Sequence, residues 1–354
     1  MTDFQSFHLP ESVSGTQSDV ELGRGMIRAW RTDGVFRAVM NETQNKKSED
    51  AFAASRRFFE MPMASKTRYS NDLTYSGYTA SGEEVTAGER DYPEVFTICK
   101  DIPADDARAQ ANWPCHGPVP WPDAAYRASM RAYMEELGSV GDKLLQLIAL
   151  GLGLNGMDAL TALTRDGWHH LRALRYPAAD GESTRGLGSH TDYGLIVMTN
   201  EDDVGGLSIR PPVEGEKRNR NWLAGESTAG MYEKEGGWIF CEPKPNVLTV
   251  LAGDILQFIT NNSILATMHK VALNTRERFS MAYFHEPNFG SSIVPLAGPS
   301  ADPSTNPPGE ERLFYGEHFT HMFMRCYPDG AATRRIVEEN RLSVLADLKN
   351  KVLG

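Results

Sequence analysis

Cysteine is scarce in this chain. There are four in 354 residues, Cys99, Cys115, Cys241 and Cys326, with no C-x-x-C among them. That argues against a zinc ribbon or a disulfide framework and fits a reducing, cytoplasmic setting. No run of 18 apolar residues occurs, so no membrane span is expected. The first ten residues, M-T-D-F-Q-S-F-H-L-P, have neither the basic nor the apolar region of a secretory signal. Positive charge is also in deficit: 36 Lys and Arg against 47 Asp and Glu leave a net charge of −11. Such a surface repels phosphate backbones, so no nucleic-acid partner is expected. No internal repeat or long low-complexity tract interrupts the chain. With 40% hydrophobic and 23% charged residues, it can bury a substantial core.

The texture changes along the chain. Residues 19–31 carry Val20, Leu22, Met26, Ile27 and Trp30 on a helical period and stop at Asp33-Gly34. A short strand is expected over 35–40, a second helix over 46–59, ended by Pro62, and a long amphipathic helix over 123–150. Residues 74–90, rich in Gly, Ser, Thr and Glu, read as a functional loop, and 113–122, with four prolines, as extended or turning chain. Beyond residue 168 short strands take over: 170–176, 195–199, 207–210, 238–241, 247–251, 255–260, 269–273 and 279–285. Many short strands with regular turns predict a sandwich or a jelly-roll barrel. A polar insertion spans 211–237, a Pro/Ser/Gly-rich connector 295–309, and an amphipathic helix 332–353. The expected fold is α+β with a mainly β core. A helix-rich region (1–165) packs on a core (166–290) that carries the insertion, and a C-terminal part (291–354) follows.

One stretch stands out, S-H-T-D-Y-G at residues 189–194, after the glycine-broken turn 185–188 and before an apolar strand. Residues i and i+2 of a strand share a face, so His190 and Asp192 would set an imidazole beside a carboxylate. With nine histidines in the chain such a pair is unremarkable alone, and a metal site needs a third ligand. Two histidines and one carboxylate leave three positions of Fe(II) open, enough for a bidentate cosubstrate and O2. The histidines after Asp192 are His269, His285, His318 and His321, and His269 is preferred because it opens a strand. Nine residues later come Arg278 and Ser280, a guanidinium and a hydroxyl that can hold a second carboxylate at a barrel floor. Alone, His269 reads as a satisfied strand histidine and Arg278 as a surface arginine. The order His190-x-Asp192, Gly253-Asp254, His269, Arg278-x-Ser280 is far more specific than any of its parts.

That order resembles the Fe(II)/2-oxoglutarate-dependent dioxygenases of the isopenicillin N synthase-like branch. The motifs are L-R-A-L-R-Y-P, H-T-D-Y-G, G-G-L-S-I, G-D-I-L-Q-F-I-T-N, H-K-V and R-F-S-M-A-Y-F, across residues 171–288. The resemblance implies a double-stranded β-helix (jelly roll) with Fe(II) on His190, Asp192 and His269. It implies 2-oxoglutarate on that iron through its C1 carboxylate and keto oxygen, with its C5 carboxylate on Arg278, near Ser280. Longer segments carry a narrower likeness: 72–88 (D-L-T-Y-S-G-Y-T-A-S-G-E-E-V-T-A-G), 113–122, 164–170, 210–222 and 323–329 (F-M-R-C-Y-P-D). They are similar to the bacterial ethylene-forming enzymes, nearly end to end.

That family implies conversion of 2-oxoglutarate and O2 to ethylene and CO2 with L-arginine required. It also implies C5 hydroxylation of L-arginine, giving guanidine and pyrroline-5-carboxylate, as 2-oxoglutarate becomes succinate. Glu84 and Thr86 would hold the substrate guanidinium, and Arg325, with Tyr193 and Cys326, the amino-acid end. Arg172 would lie near 2-oxoglutarate and Phe284 would wall its pocket. The implied partners are small molecules, acting on a monomer. The alternative is a 2-oxoglutarate-dependent hydroxylase of L-arginine or a related small cation that makes no ethylene. Thr199, Asn200, Asn261, Asn262, Ala266, Met268 and Ser280 depart from the ethylene-forming pattern, and changes around the 2-oxoglutarate pocket would shift the partition between the two reactions.

Overall fold

In the computed structural model, which describes residues 3–179, 184–296 and 312–353, the N-terminal helices begin where the sequence supplies caps. Helix Gln17–Asp33 starts with a reciprocal box: Thr16 accepts from the Asp19 N–H, and the Asp19 carboxylate accepts from Thr16 N–H. Gly34 ends it in the left-handed conformation. Helix Glu42–Phe59 starts earlier than its apolar period because Asn41 and Gln44 form the same box. Helix Ala124–Leu152 runs from the Asp123 cap to a left-handed Gly153. The first and third of these cross at Gly23 and Gly151, where a Cβ on Gly23 would lie 1.9 Å from the Leu147 carbonyl oxygen.

The β core is two sheets. The larger has eight strands, in spatial order Ser6–His8, Val35–Val39, Val247–Ala252, Ile196–Glu201, Arg278–His285, His170–Tyr176, Glu94–Ile98 and Gly77–Thr79. The smaller has four: Ile239–Phe240, Leu207–Arg210, Met268–Ala272 and Arg185–His190. This is the jelly-roll core expected, with helices against it. Register sorts the larger sheet's faces, because paired residues point the same way. Arg278 pairs with Tyr176, Ser280 with Leu174 and Glu201, Ala282 with Arg172 and Thr199, and Phe284 with His170 and Val197. These line the inner face, where Leu174, Tyr176, Val197 and Phe284 join Leu187, Leu207, Ile209 and Val271 of the small sheet in one apolar cluster. The alternate residues, including Leu171, Ala173, Met198, Met281 and Tyr283, face out and bury against Trp30, Phe58, Leu144 and Ile148 of the helices.

Three expectations need correction. Residues 255–260 are not a strand: Asp254–Ile259 is a short helix, buried on every side. A short run with no exposed face, four of its six residues apolar, does not separate the two by period. The C-terminal helix is two, Ala331–Glu338 and Arg341–Leu353, broken at Asn340, which has φ 51°. A further helix, Tyr315–Cys326, precedes them. Residues 185–188 are not a turn but the start of strand Arg185–His190. His190 therefore ends a strand and Asp192 sits in the following turn, not on the strand itself. Asn261 and Asn262 both adopt positive φ, the conformation in which asparagine substitutes most readily for glycine. The connector expected over 295–309 lies outside the described residues from 297 onward.

Candidate active site and metal centre

The turn after strand Arg185–His190 brings His190 and Asp192 against His269 of the neighbouring strand, which pairs directly with His190. His190 Nε2 lies 3.6 Å from Asp192 Oδ1, and His269 Nε2 lies 3.6 Å from Asp192 Oδ2. One ligand atom from each residue fits within 4.8 Å of the others. Each histidine turns its Nδ1 to a backbone carbonyl, Gly188 O at 2.8 Å and Thr267 O at 3.1 Å. A donor at Nδ1 leaves Nε2 with its lone pair, and both Nε2 atoms converge on the carboxylate. Burial, helped by His190, holds His269 down at about 4, so it is neutral as a ligand must be. The donor set and its orientation fit a divalent iron with one open face. The other candidates do not reach the cluster: His285 Nε2 contacts Asp142 at 3.0 Å, His318 Nε2 contacts Tyr193 O at 3.2 Å, and His321 is exposed on the helix Tyr315–Cys326.

The chain around the ligands is fixed from below. Thr191, between them, donates to Asp254 Oδ1 at 2.7 Å, and Asn221 donates to Asp254 Oδ2 at 2.8 Å. Asp254 N–H closes on Asp192 O. Gly253 is required because a Cβ there would lie 2.2 Å from Gly194 O. So the Gly253-Asp254 pair ties down the metal turn, and the polar insertion reaches back through Asn221 and Thr228 to complete the network. Gly194 itself abuts Glu286, whose carboxylate is fully buried and accepts from Tyr315 Oη at 2.7 Å.

Burial pushes the Glu286 carboxyl up to about 8, above its ordinary 4.5. The folded state therefore holds this proton more tightly than the unfolded chain does. The resulting stability is complete below about pH 4.5 and is lost as the pH rises toward about 8. Glu286→Gln is expected to remove that slope, which is on the order of 1 kcal/mol per pH unit. Urea denaturation at pH 5, 6.5 and 8 should show the variant gaining on the wild type as pH rises. A pH-independent difference would mean that Glu286 is ionised in the folded protein.

A cavity of about 240 Å³ opens above the ligands, and its lining includes His190, Asp192, Glu84, Thr86, Arg172 and Phe284. Tyr193, Arg325 and Cys326 line it too, so the short hairpin Val85–Thr86/Glu89–Arg90 and the helix Tyr315–Cys326 meet over the metal turn. The rest of 74–90 is not the free loop expected, since Gly77–Thr79 is a strand and Tyr75 and Tyr78 are buried in the core. Glu84 is 4% exposed and accepts from Arg172 Nη2 at 2.5 Å, and the same nitrogen reaches Tyr327 Oη at 3.1 Å. Thr86 donates to Asp91 Oδ2 at 2.6 Å, leaving its oxygen lone pairs to accept. Tyr193 Oη lies 2.6 Å from Cys326 Sγ, and burial pushes that thiol up to about 12, so it stays protonated. Arg325 Nη1 has Glu226 O at 3.5 Å. Arg278 and Ser280 are not among the cavity's lining residues. They stand deeper on the inner face, Arg278 over the Tyr176 ring at 4.7 Å.

Several residues were not legible beforehand. His170 stacks on Phe284 with ring centroids 4.2 Å apart and planes 6° from parallel, and burial holds it neutral with a pKa of about 3. Asp91 is wholly buried, accepts from Gly188 N–H at 2.9 Å, and so fastens the Glu84 loop to the His190 strand. Burial, then Glu84, raises it to about 6. The doubled histidine of D-G-W-H-H was the signal for His170; nothing in R-D-Y marked Asp91.

Comparison with known proteins bears on this arrangement. A family profile for the N-terminal part of non-haem dioxygenases of morphine synthesis matches residues 2–124, and one for the 2OG-Fe(II) oxygenase superfamily matches residues 168–287. The chain is 56% identical over 349 residues to the 2-oxoglutarate-dependent ethylene/succinate-forming enzyme of Ralstonia nicotianae, covering 98% of this chain and 99% of that one. It is 25% identical to homoarginine-6-hydroxylase 2-ODD-C23.2 of Arabidopsis thaliana, over 87% of this chain and 82% of that one. The crystal structure of the dioxygenase for auxin oxidation of rice has the same fold, with a TM-score of 0.66 at 21% identity over 94% of this chain and 99% of that one.

Proposed function

The chain belongs to the 2OG-Fe(II) oxygenase superfamily, in the group of the 2-oxoglutarate-dependent ethylene/succinate-forming enzymes, and from that membership we propose that it converts 2-oxoglutarate and O2 to ethylene and CO2 in the presence of L-arginine. In the coupled second reaction L-arginine is hydroxylated at C5, yielding guanidine and pyrroline-5-carboxylate, while 2-oxoglutarate gives succinate and CO2. The enzyme is a dioxygenase that uses Fe(II) and 2-oxoglutarate. Among the described residues no helix is long and apolar enough to cross a membrane.

His190, Asp192 and His269 hold the iron. The bound iron supplies O2 activation and the redox chemistry of 2-oxoglutarate. The chain supplies position, charge and dryness. Arg278 and Ser280 take the C5 carboxylate, and Arg172 stands beside the metal-binding end. The stacked His170 and Phe284 wall off water. Glu84 and Thr86 receive the arginine guanidinium, and Arg325, Tyr193 and Cys326 receive its α-carboxylate and amine. One observation carries the substrate assignment: Glu84, a buried carboxylate lining a cavity that ends on His190 and Asp192, already grips a guanidinium, that of Arg172.

The test is headspace ethylene and dissolved succinate from the Fe(II)-loaded enzyme with 2-oxoglutarate and air, with and without L-arginine. Both products are expected, with ethylene dependent on arginine. Succinate and guanidine without ethylene would instead identify the hydroxylase reading, which the likeness to a homoarginine-6-hydroxylase favours.

A further inference from the structure

We propose that Glu201 competes with the cosubstrate for Arg278 and so sets the affinity for 2-oxoglutarate and the ease of succinate release. This rests on Arg278 being the anchor of the C5 carboxylate. Glu201 ends the strand Ile196–Glu201 and pairs across to Ser280, which puts its side chain on the inner face of the sheet two residues from Arg278. One of its oxygens, Oε2, takes two donors of the guanidinium, Nη2 at 2.6 Å and Nε at 3.2 Å. The side chains are 4% and 9% exposed, so the pair is buried.

The guanidinium is therefore neutralised before any cosubstrate arrives. Its face lies over the Tyr176 ring, which restricts rotation away from Glu201. The donor left is Nη1, 3.4 Å from Ser280 Oγ. A carboxylate arriving at Nη1 and Ser280 becomes the second anion on one buried cation. The other arginines of this face contribute no compensation: Arg37 points at Asp3, Cys241 and the Glu242 carbonyl, and Arg172 is held by Glu84 and Tyr327. Two carboxylates sharing one guanidinium in a dry site repel each other, and the repulsion falls on whichever can leave. Succinate keeps the same distal carboxylate after 2-oxoglutarate has lost its C1 carbon, so Glu201 weakens substrate and product alike.

The experiment is calorimetric titration of the anaerobic Fe(II)-loaded enzyme with 2-oxoglutarate, succinate and pyruvate, which lacks the distal carboxylate. Glu201→Gln is expected to tighten 2-oxoglutarate and succinate on the order of tenfold, the effect of one like-charged neighbour, and to leave pyruvate unchanged. Glu201→Asp, with the charge drawn back by one methylene, is expected to fall between, and serves should the glutamine variant not fold. Arg278→Gln separates the two readings. If it spares 2-oxoglutarate binding, Arg278 is not the anchor. If it weakens 2-oxoglutarate while both Glu201 variants leave that ligand unchanged or weaker, Glu201 merely orients the arginine and the competition is overturned.

Discussion

Asp192→Ala is expected to abolish Fe(II) binding at stoichiometric concentrations and to lower both ethylene and succinate formation by roughly 1,000-fold or more, an order of magnitude beyond the loss of an outer partner. Asp192 is the one anionic member of the cluster, and both imidazoles face its carboxylate at 3.6 Å. Losing a partner one shell further out typically costs about 10- to 100-fold in metal affinity or activity, so losing a direct ligand costs more. The histidines would stay in place without it. Each is held through Nδ1 by a backbone carbonyl, and the turn is held by the Thr191–Asp254 bond rather than by the Asp192 side chain. The variant should therefore keep its far-ultraviolet circular dichroism and its metal-free melting temperature. Anaerobic Fe(II) titration and product assays on the same sample check the outcome. Wild-type turnover in a folded Asp192→Ala protein would mean that the reaction does not use this cluster.

How much of this was readable beforehand follows from what kind of signal each residue leaves. His190, Asp192 and His269 were legible because residue type and order constrain metal binding even when the local geometry is misjudged. Asp192 proved to lie in a turn, yet the turn still presents it to both histidines. The 254–259 segment was misread because D-I-L-Q-F-I is buried on all sides and offers no periodicity. Glu201 was invisible for a different reason. Within N-E-D-D it looks like a solvated charge, and its partner is 77 residues away. Only the pairing of Glu201 with Ser280 across two strands brings it to Arg278. Asp91 likewise gains meaning from strand Arg185–His190, whose Gly188 N–H it accepts. Residues whose role is set by cross-strand register become legible only once the sheet order is known.

Glu84→Gln should raise the half-saturating concentration of L-arginine about 100-fold and change 2-oxoglutarate binding, measured without arginine, far less. A neutral amide keeps the shape and one acceptor but loses the charge. Hydrogen bonds to charged groups contribute about 1.5–3 kcal/mol each, and about 2.7 kcal/mol corresponds to 100-fold. The complication is internal. Glu84 already pairs with Arg172, which also reaches Tyr327, so a substrate guanidinium received there would share the carboxylate with a resident one. The Glu84 oxygen that Arg172 does not take, together with the Thr86 hydroxyl oxygen, supplies that share. Removing the charge leaves Arg172 buried without its counter-ion, a cost that arginine binding and 2-oxoglutarate binding would both feel if Arg172 moved. Arg172→Lys calibrates this, because it keeps a cation near Glu84 while losing the fork. If Glu84→Gln weakens arginine much more than 2-oxoglutarate, and Arg172→Lys does the reverse, Glu84 is the guanidinium receptor and Arg172 serves the cosubstrate. Equal losses of both ligands in Glu84→Gln would mean that its carboxylate acts only by holding Arg172, and that the arginine guanidinium binds elsewhere in the cavity.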